Sequence, residues 1–189
     1  DAWDIVERFN MIVRESGSQG ERDAVSLLAE KLGSYGIDCE IYTPTLFVSL
    51  PRSASLKVLG AAGRTLYAKT PSMSKSTAPG FLTAELVYLG TGQAKRPSDV
   101  WAGLDAGAIG DVAGKAVLIE GLPLPGRVTD LMAAGAAAVV FISPGERIHE
   151  GTCTSIWGSP DPDTISRKPK IPVVSVKRSD GLWLIEELK

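Results

Sequence analysis

Hydrophobic and polar positions follow two different periods along this chain, and the clearest pattern is a strand–helix–strand unit in its second half. The apolar run at residues 116–119 precedes a short segment in which Val128 and Leu131 recur at helical spacing. A second apolar run, at residues 137–142, follows immediately. Consecutive buried strands joined by a helix run parallel, with a right-handed crossover. The pattern therefore predicts a βαβ unit.

Alternating segments before this unit predict a β-hairpin and a further strand. Leu56 and Val58 precede the turn sequence GAAG, and Leu66 and Ala68 follow it at alternating positions. Two short alternating runs around a glycine-rich turn are typical of a hairpin. The apolar residues at 86–89 are expected to form another strand.

Loops separate the remaining predicted elements. Residues 99–110 are rich in small side chains, and they are expected to be irregular apart from a helical turn near Trp101. A polar loop at residues 143–170 precedes the predicted strand IPVVSV at residues 171–176. Ser179 is then expected to cap a final helix, because serine is a preferred residue at helix starts.

The first fifty residues have a different pattern, with two amphipathic helices and a strand. Ser18 and Glu21 have the spacing of a capping box at the start of the second helix. The expected buried stripe of that helix consists of Ala24, Leu27, Leu28 and Leu32. Residues 37–42 alternate between apolar and polar side chains, and residues 46–50 continue this pattern, which predicts a strand. Because these elements bury too little surface to fold alone, this part of the chain needs a partner surface.

Composition and charge narrow the classes of function. The 189 residues carry a net charge of −2, which argues against nucleic acid as the main partner. No apolar run reaches the roughly 20 residues that span a bilayer, so no membrane segment is predicted. Cys39 and Cys153 lie far apart in the sequence and are expected to remain unpaired thiols. Because the chain begins at Asp1 rather than Met, we expect it to be part of a longer product.

Few residues are available for catalysis within the chain. His149 is the only histidine, whereas a zinc site usually has several ligands that include histidine. A serine triad would also need His149, and the sequence contains no GxSxG turn; a nucleophile pair of Cys153 and His149 stays open as an alternative. Asp161 and Asp163 flank a proline, which is typical of a turn rather than a metal site. We therefore assign no catalytic residue and no metal ligand to this chain.

One loop combines residue types that are common at contact sites. Residues 149–163 read HEGTCTSIWGSPDPD, with a histidine, a tryptophan and several turn-forming residues in a polar setting. A large aromatic side chain in such a loop is able to anchor a substrate or a partner. The alternative is that Trp157 packs back onto its own domain. The candidate contact residues are His149, Trp157, Ser159 and Asp161.

Four separated motifs in the second half resemble the protease-associated (PA) domain family. They are GK before the first apolar strand, AGA at the end of the helix, the second strand, and IPVV in the late strand. The resemblance implies an α/β fold in which a β-sandwich or open barrel of mixed strands carries flanking helices. It assigns residues 53–189 to a domain that is usually a lid or docking module on a peptidase.

The beginning of the chain looks like the opening of a second family, the transferrin-receptor and aminopeptidase family of zinc metallopeptidases. Ser18, Glu21, Ala24, Leu28 and Gly36 match the pattern of that opening, and the family carries an inserted PA domain soon after its first strand. The resemblance therefore implies that residues 1–52 are an incomplete α/β piece of a metallopeptidase-like domain.

Together the two resemblances imply the non-catalytic front of a zinc-dependent amino- or exopeptidase. In that family two zinc ions are held by residues located after the inserted domain, and none of those ligands can be placed on this sequence. The chain alone is expected to hold no cofactor and to be inactive, while its PA domain shapes or gates substrate access or mediates protein interaction.

The same resemblance defines the expected partners and leaves two alternative functions open. The partners are the missing catalytic domain, a peptide or protein substrate and a second copy of the chain, in an extracellular or secreted protein. One alternative is a receptor-type or stand-alone interaction module with no active peptidase parent. Another is the PA insert of a subtilisin-like protease, against which the amino-terminal helices argue.

Overall fold

The computed structural model describes residues 2–60, 63–77, 79–91, 103–104, 107 and 109–189. The helical turn expected near Trp101 lies outside the described residues. The chain divides into two compact units, Asp1–Leu50 and Pro51–Lys189. Each unit has its own secondary structure and is described by itself.

The first unit contains two helices, α1 (Ala2–Asn10) and α2 (Gln19–Gly33). The capping box predicted for α2 is confirmed, because the Ser18 hydroxyl accepts a hydrogen bond from the Glu21 N–H at 3.2 Å. The Glu21 carboxylate accepts in return from the Gly17 N–H at 2.6 Å, one residue before the usual partner. The Ser18 N–H instead donates to the Glu15 carbonyl at 2.9 Å. All these groups lie at the helix start, where backbone N–H groups lack partners within the helix.

The expected buried stripe of α2 is buried only at Ala24, and the expected strand is not formed. Among residues 2–50 only Ala24 is buried, while Leu28 and Leu32 are 40% and 37% exposed. No residue between 37 and 50 belongs to a strand. A strand exists only where its backbone is hydrogen-bonded to another strand, and these residues have no such partner in the described part of the chain. The alternation of side chains was therefore insufficient to predict the strand.

The described residues of the second unit form two sheets and two α-helices, so the predicted α/β fold with flanking helices is confirmed. One sheet pairs β1 (Ala54–Lys57) with β2 (Thr65–Ala68) in antiparallel orientation. The other is parallel and has the order β3 (Leu86–Thr91), β4 (Ala116–Glu120), β5 (Ala138–Ile142) and β6 (Val173–Val176). The helices are α3 (Pro125–Ala133) and α4 (Arg178–Glu187).

The predicted hairpin is confirmed, and it is hydrogen-bonded to the edge of the parallel sheet. Leu56 lies opposite Leu66, and the Gly63 N–H donates to the Gly60 carbonyl at 3.1 Å in the turn. Directly after β2, Lys69 exchanges two backbone hydrogen bonds with Ser175 of β6, at 3.0 and 2.7 Å. This antiparallel bridge connects the two sheets at β6.

The predicted βαβ unit is confirmed, with β4 and β5 parallel and in register from Ala116 opposite Ala138. Gly135 ends α3 with φ +85°, a left-handed conformation that other residues adopt only at a cost. The Ala136 N–H donates to the Leu131 carbonyl at 3.0 Å, and the Gly135 N–H to the Met132 carbonyl at 3.1 Å. This pair of bonds is the Schellman motif, which satisfies the last carbonyls of the helix.

Both faces of the parallel sheet are buried, because α3 and α4 each cover one of them. One core cluster contains Val117, Ile119, Val139 and Phe141 with the α3 residues Val128 and Leu131. The other contains Leu118, Val140, Ile142 and Val176 with Leu66 and Ala68 of β2 and Leu184 of α4. Strands that are buried on both faces carry continuous apolar runs, which explains the runs seen in the sequence.

Helix α4 begins two residues earlier than expected, and a distant carboxylate caps it. Lys177 occupies the N-cap position without a side-chain capping bond, so the prediction that Ser179 is the cap is wrong. The Ser179 N–H and hydroxyl instead donate to the two carboxylate oxygens of Glu146, at 2.9 and 2.7 Å. These hydrogen bonds, led by that of the hydroxyl, lower the pKa of Glu146.

The hairpin and α4 are joined by Arg64. Its guanidinium donates to the Asp180 carboxylate at 2.9 Å, and Asp180 is only 4% exposed. The same guanidinium lies 4.9 Å from the ring centre of Trp183, a cation–π distance. Trp183 is therefore partly buried against the core.

Candidate functional site

The loop between β5 and β6 is fixed to the segment after the hairpin by backbone and side-chain bonds. Ser72 and Thr152 form a parallel β-bridge. The Cys153 thiol donates to the Ser72 carbonyl at 3.1 Å, and Lys69 forms an ion pair with Glu150 at 2.6 Å. The loop is therefore attached at three successive points.

Three buried side chains of this loop anchor it to the second unit. Cys153, Thr154 and Ile156 are 1%, 2% and 6% exposed. The Thr154 hydroxyl donates to the Arg167 carbonyl at 3.1 Å and accepts from the Ile156 N–H at 3.2 Å. Because these bonds fix the backbone on the amino-terminal side of Trp157, the position of this tryptophan is defined by packed neighbours.

Trp157 itself projects into solvent, with 80% of its surface exposed. The reading in which it packs back onto its own domain is therefore wrong. It lines a shallow groove of about 250 Å³, which we call the Trp157 groove. The lining residues are Ser72, Met73, Thr152, Thr154, Ile156, Trp157 and Gly158.

The lining of the Trp157 groove also includes a strained residue. Met73 is 6% exposed and has φ +68°, and it is the only non-glycine residue with positive φ in the part of the chain that the structure describes. Such a conformation costs on the order of 1–3 kcal/mol and persists only where the surrounding structure enforces it. Neither the strain nor the approach of this segment to the loop was predicted from sequence, because no local pattern encodes either.

The other candidate contact residues do not line this groove. His149 is exposed, and its backbone N–H donates to the Ser143 hydroxyl at 3.3 Å. Ser159 is half-buried in the same loop. Their role in contacts stays a prediction.

Asp161 has a local structural role. Its carboxylate accepts from the N–H groups of Asp163 and Thr164 at 3.0 and 2.8 Å, and from the Thr164 hydroxyl at 2.7 Å. The hydrogen bonds from Thr164 hold the pKa of Asp161 below its usual value. The turn expected at this aspartate is confirmed, and its carboxylate stabilises the start of the short 3₁₀ helix Ile165–Arg167.

The chemistry available at this site is limited. Burial raises the pKa of the Cys153 thiol to about 12, so it stays protonated and is a poor nucleophile. Cys39 and Cys153 are both free thiols, as expected. The described residues contain no group of three or more His, Cys, Asp or Glu side chains placed to hold a metal ion. What the site presents is a fixed aromatic surface beside an uncharged groove.

A second strong polar contact lies on the sheet, away from the groove lining. The Tyr88 hydroxyl of β3 donates to the Glu120 carboxylate of β4 at 2.6 Å. This hydrogen bond raises the pKa of Tyr88 to about 12, with a smaller contribution from burial.

None of the helices in the described ranges is both long and apolar enough to cross a membrane.

The fold and this sequence together define the class of protein. The model of the PA domain family matches residues 82–184, which include the parallel sheet, α3 and most of α4. The chain therefore belongs to the PA domain family. No curated protein matches the sequence significantly.

Solved structures extend the similarity beyond the PA domain. An aminopeptidase from Aneurinibacillus sp. strain AM-1 superposes with a TM-score of 0.57 and 19% identity over 98% of this chain and 40% of its own. BSAP, a zinc aminopeptidase from Bacillus subtilis, gives 0.55 and 22% over 90% of this chain and 36% of its own. At this identity the similarity establishes the fold. The chain spans about two fifths of the length of these enzymes.

Proposed function

We propose that this chain is the non-catalytic front portion of a zinc-dependent aminopeptidase, in which the PA domain shapes or gates the access of substrate. The observation that carries the proposal is that aminopeptidase structures match both units together, over 98% of the chain in one case. A match to a PA domain alone would cover only the second unit. The proposal also requires that the first unit be part of a larger body.

The surface of the first unit supports that requirement. Of the 23 large apolar side chains that are exposed in the described residues, fourteen lie in the first unit, although it is much the shorter one. They include Val25, Leu28 and Leu32 of α2, together with Ile37, Ile41, Phe47 and Val48 of the segment that follows. Monomeric soluble proteins rarely expose large apolar patches unless these patches form an interface. We infer that the catalytic domain covers it and supplies the missing strand partner.

The residues of this chain do not fit the zinc site of such an enzyme. The chain has one histidine, and its described residues offer no three-ligand cluster. We therefore derive no step through zinc for this chain. Under the proposal the zinc ligands belong to the remainder of the parent protein. The role of this chain is to bind or orient the substrate, or to restrict its access.

The exposure of Trp157 favours a second candidate function. An 80% exposed tryptophan on a fixed loop suits a protein-interaction module of the receptor type, which would have no active peptidase parent. Secretion of the parent and pairing of two copies are further proposals, which rest on the resemblance alone.

The test compares the chain with a longer product of the same gene. We expect the coding sequence beyond Lys189 to contain His, Asp and Glu ligands, and the longer protein to hold two zinc ions and hydrolyse leucine p-nitroanilide. The 189-residue chain serves as the matched control and should show neither property. A His149→Ala variant of the longer protein should keep its two zinc ions.

Two results would contradict the proposal. A longer product without metal-ligand residues and without activity would favour the interaction module. Stoichiometric zinc in the 189-residue chain, measured by mass spectrometry and lost in His149→Ala, would place the metal here and refute the assignment of a non-catalytic role.

A further inference from the structure

The lining of the Trp157 groove carries no charge. Its seven residues are two threonines, a serine, a glycine, a methionine, an isoleucine and a tryptophan. A charged side chain that entered this groove would lose water without gaining an ionic partner, and this is costly. An uncharged apolar side chain loses nothing comparable and gains contact with Trp157, Met73 and Ile156. The electrostatics of the lining therefore select a neutral occupant.

The dimensions of the groove suit a single side chain. Its volume is about 250 Å³. This accommodates a side chain such as leucine or phenylalanine. The exposed residues Ser72 and Thr152 add hydroxyl groups to the lining, which is compatible with the backbone of a peptide.

The backbone beside Trp157 and the side chain of Met73 are held in place before any partner binds. The buried Thr154 and Ile156 hold the chain next to Trp157, and Gly158 turns it immediately afterwards with φ +81°. The strained Met73, which also lines the groove, is held within the fold at 6% exposure. Residues that are held in costly conformations cluster at functional sites, and a preformed site loses less entropy on binding.

We propose that the Trp157 groove is a subsite that receives one uncharged apolar side chain of a peptide substrate, with Trp157 covering it. The proposal rests on the proposed function, since it gives the PA domain a direct contact with substrate. It predicts that the domain favours peptides with leucine or phenylalanine, and disfavours those with lysine or aspartate, at the position that reaches the groove.

The test uses the full 189-residue chain and four probes, the N-acetyl amides of leucine, phenylalanine, lysine and aspartate. Binding is followed by NMR through the indole N–H of Trp157, assigned with Trp157→Phe, and through the methyl group of Met73. A ligand of about a dozen non-hydrogen atoms is expected to bind with a Kd of about 1 mM. We expect the two apolar probes to shift both signals to saturation and the two charged probes to bind at least tenfold more weakly.

Two variants distinguish binding in the Trp157 groove from nonspecific binding to other exposed side chains. Trp157→Ala should weaken the response of the Met73 methyl group at least tenfold. Phe81→Ser is the matched control, since Phe81 is an 86% exposed aromatic residue in the same unit and does not line the groove. It should bind the leucine probe as the unchanged chain does.

Equal binding of charged and apolar probes, unchanged binding by Trp157→Ala, or no saturable shift from any probe would each overturn the proposal. These results concern the chain alone, so they leave the search for zinc ligands beyond Lys189 unaffected. Saturable, apolar-selective binding together with a parent that lacks zinc would keep the subsite and refute the peptidase.

Discussion

The close approach of α4 to the sheet can be tested at Gly181. A Cβ atom at this position would lie 2.6 Å from Cγ1 and 2.9 Å from Cβ of Ile142, with Cγ2 closer still. Carbon atoms in contact prefer about 3.5–4.0 Å, so the helix or Ile142 would have to move. Ile142 is 1% exposed in a packed cluster and has little room to do so. The variant Gly181→Ala is therefore expected to overpack this interface.

Two effects of Gly181→Ala oppose each other. Overpacking of a tight core typically costs about 1–3 kcal/mol. Replacing glycine by alanine inside a helix gains about 1 kcal/mol of helix propensity. Because three atoms of one immobile side chain lie within 3.0 Å of the new methyl group, we expect the steric cost to be in the upper half of its range. The net result should be a loss of about 1–2 kcal/mol in the free energy of unfolding.

The assay is native-state hydrogen exchange at the amides of Val139 and Val140, which report on the second unit by itself. Gly145→Ala is the matched control, because a Cβ there meets nothing within 4 Å and its backbone is not left-handed. The control should change the unfolding free energy by less than about 0.5 kcal/mol.

A double-mutant cycle identifies the cause of the loss. Ile142→Ala alone should cost about 2–5 kcal/mol, through lost burial and the cavity that remains. In the double variant the methyl group introduced at position 181 occupies part of that cavity. The combined loss should then be smaller than the sum of the single losses by at least about 1 kcal/mol. Additive losses, or a Gly181→Ala variant as stable as the original, would refute the steric reasoning.

Three further predictions follow from single contacts. The Ser175 hydroxyl is buried and has no hydrogen-bond partner among the described residues. The Ser175→Ala variant should therefore unfold at an equal or higher urea concentration than the original chain. A loss of more than about 1 kcal/mol in the free energy of unfolding would show that the hydroxyl has a partner. The pKa of Tyr88 is raised to about 12 from 10.0, so its absorbance should titrate near pH 12 and, in Glu120→Gln, closer to pH 10; unchanged titration would exclude the carboxylate as the cause. Since the folded pKa is the higher one, the stability that this contact contributes is complete below about pH 10 and is lost as the pH rises towards about 12. A thiol reagent at about pH 8 should label the exposed Cys39 at once and the buried Cys153 only after unfolding, and rapid labelling of both would contradict the burial.

Local patterns predicted the elements whose partners are near in sequence. The βαβ unit follows from two apolar runs and a helical segment that lie within 27 residues of one another, from Ala116 to Ile142. The hairpin follows from two alternating runs around one turn. The capping box at Ser18 and Glu21 needs only groups within one helical turn. In each case the determining contacts are those that neighbouring residues make.

Sequence patterns gave wrong predictions where the contact partner of a segment is distant in the sequence or is not among the described residues. The alternation at residues 37–42 is present, yet no strand forms because its backbone has nothing to pair with among the described residues. The stripe on α2 is apolar, yet Leu28 and Leu32 remain exposed. Ser179 lies in the first turn of α4 and is not its cap, because its N–H and hydroxyl donate to the carboxylate of Glu146, 33 residues earlier. In these cases a propensity was present and the long-range contact decided its outcome.

In the candidate contact loop, too, the sequence predicted a local feature and the structure was needed for the long-range contacts. The sequence alone indicated Trp157 as an aromatic residue in a polar loop, and it could not decide whether the ring is exposed. That depends on Cys153, Thr154 and Ile156, which turn inward and fix the backbone beside it. It also could not place Met73 in the lining of the same groove as Trp157, because 84 residues separate the two positions in the chain.

The amino-acid sequence thus determined the type and order of the elements in the second unit, since periodicity and turn chemistry act over a few residues. Only the tertiary structure decided which apolar surfaces are covered and which side chains meet across the loops. The physical reason is that burial and strand pairing are properties of pairs of distant segments. A single segment encodes its own preference and not the surface against which it packs.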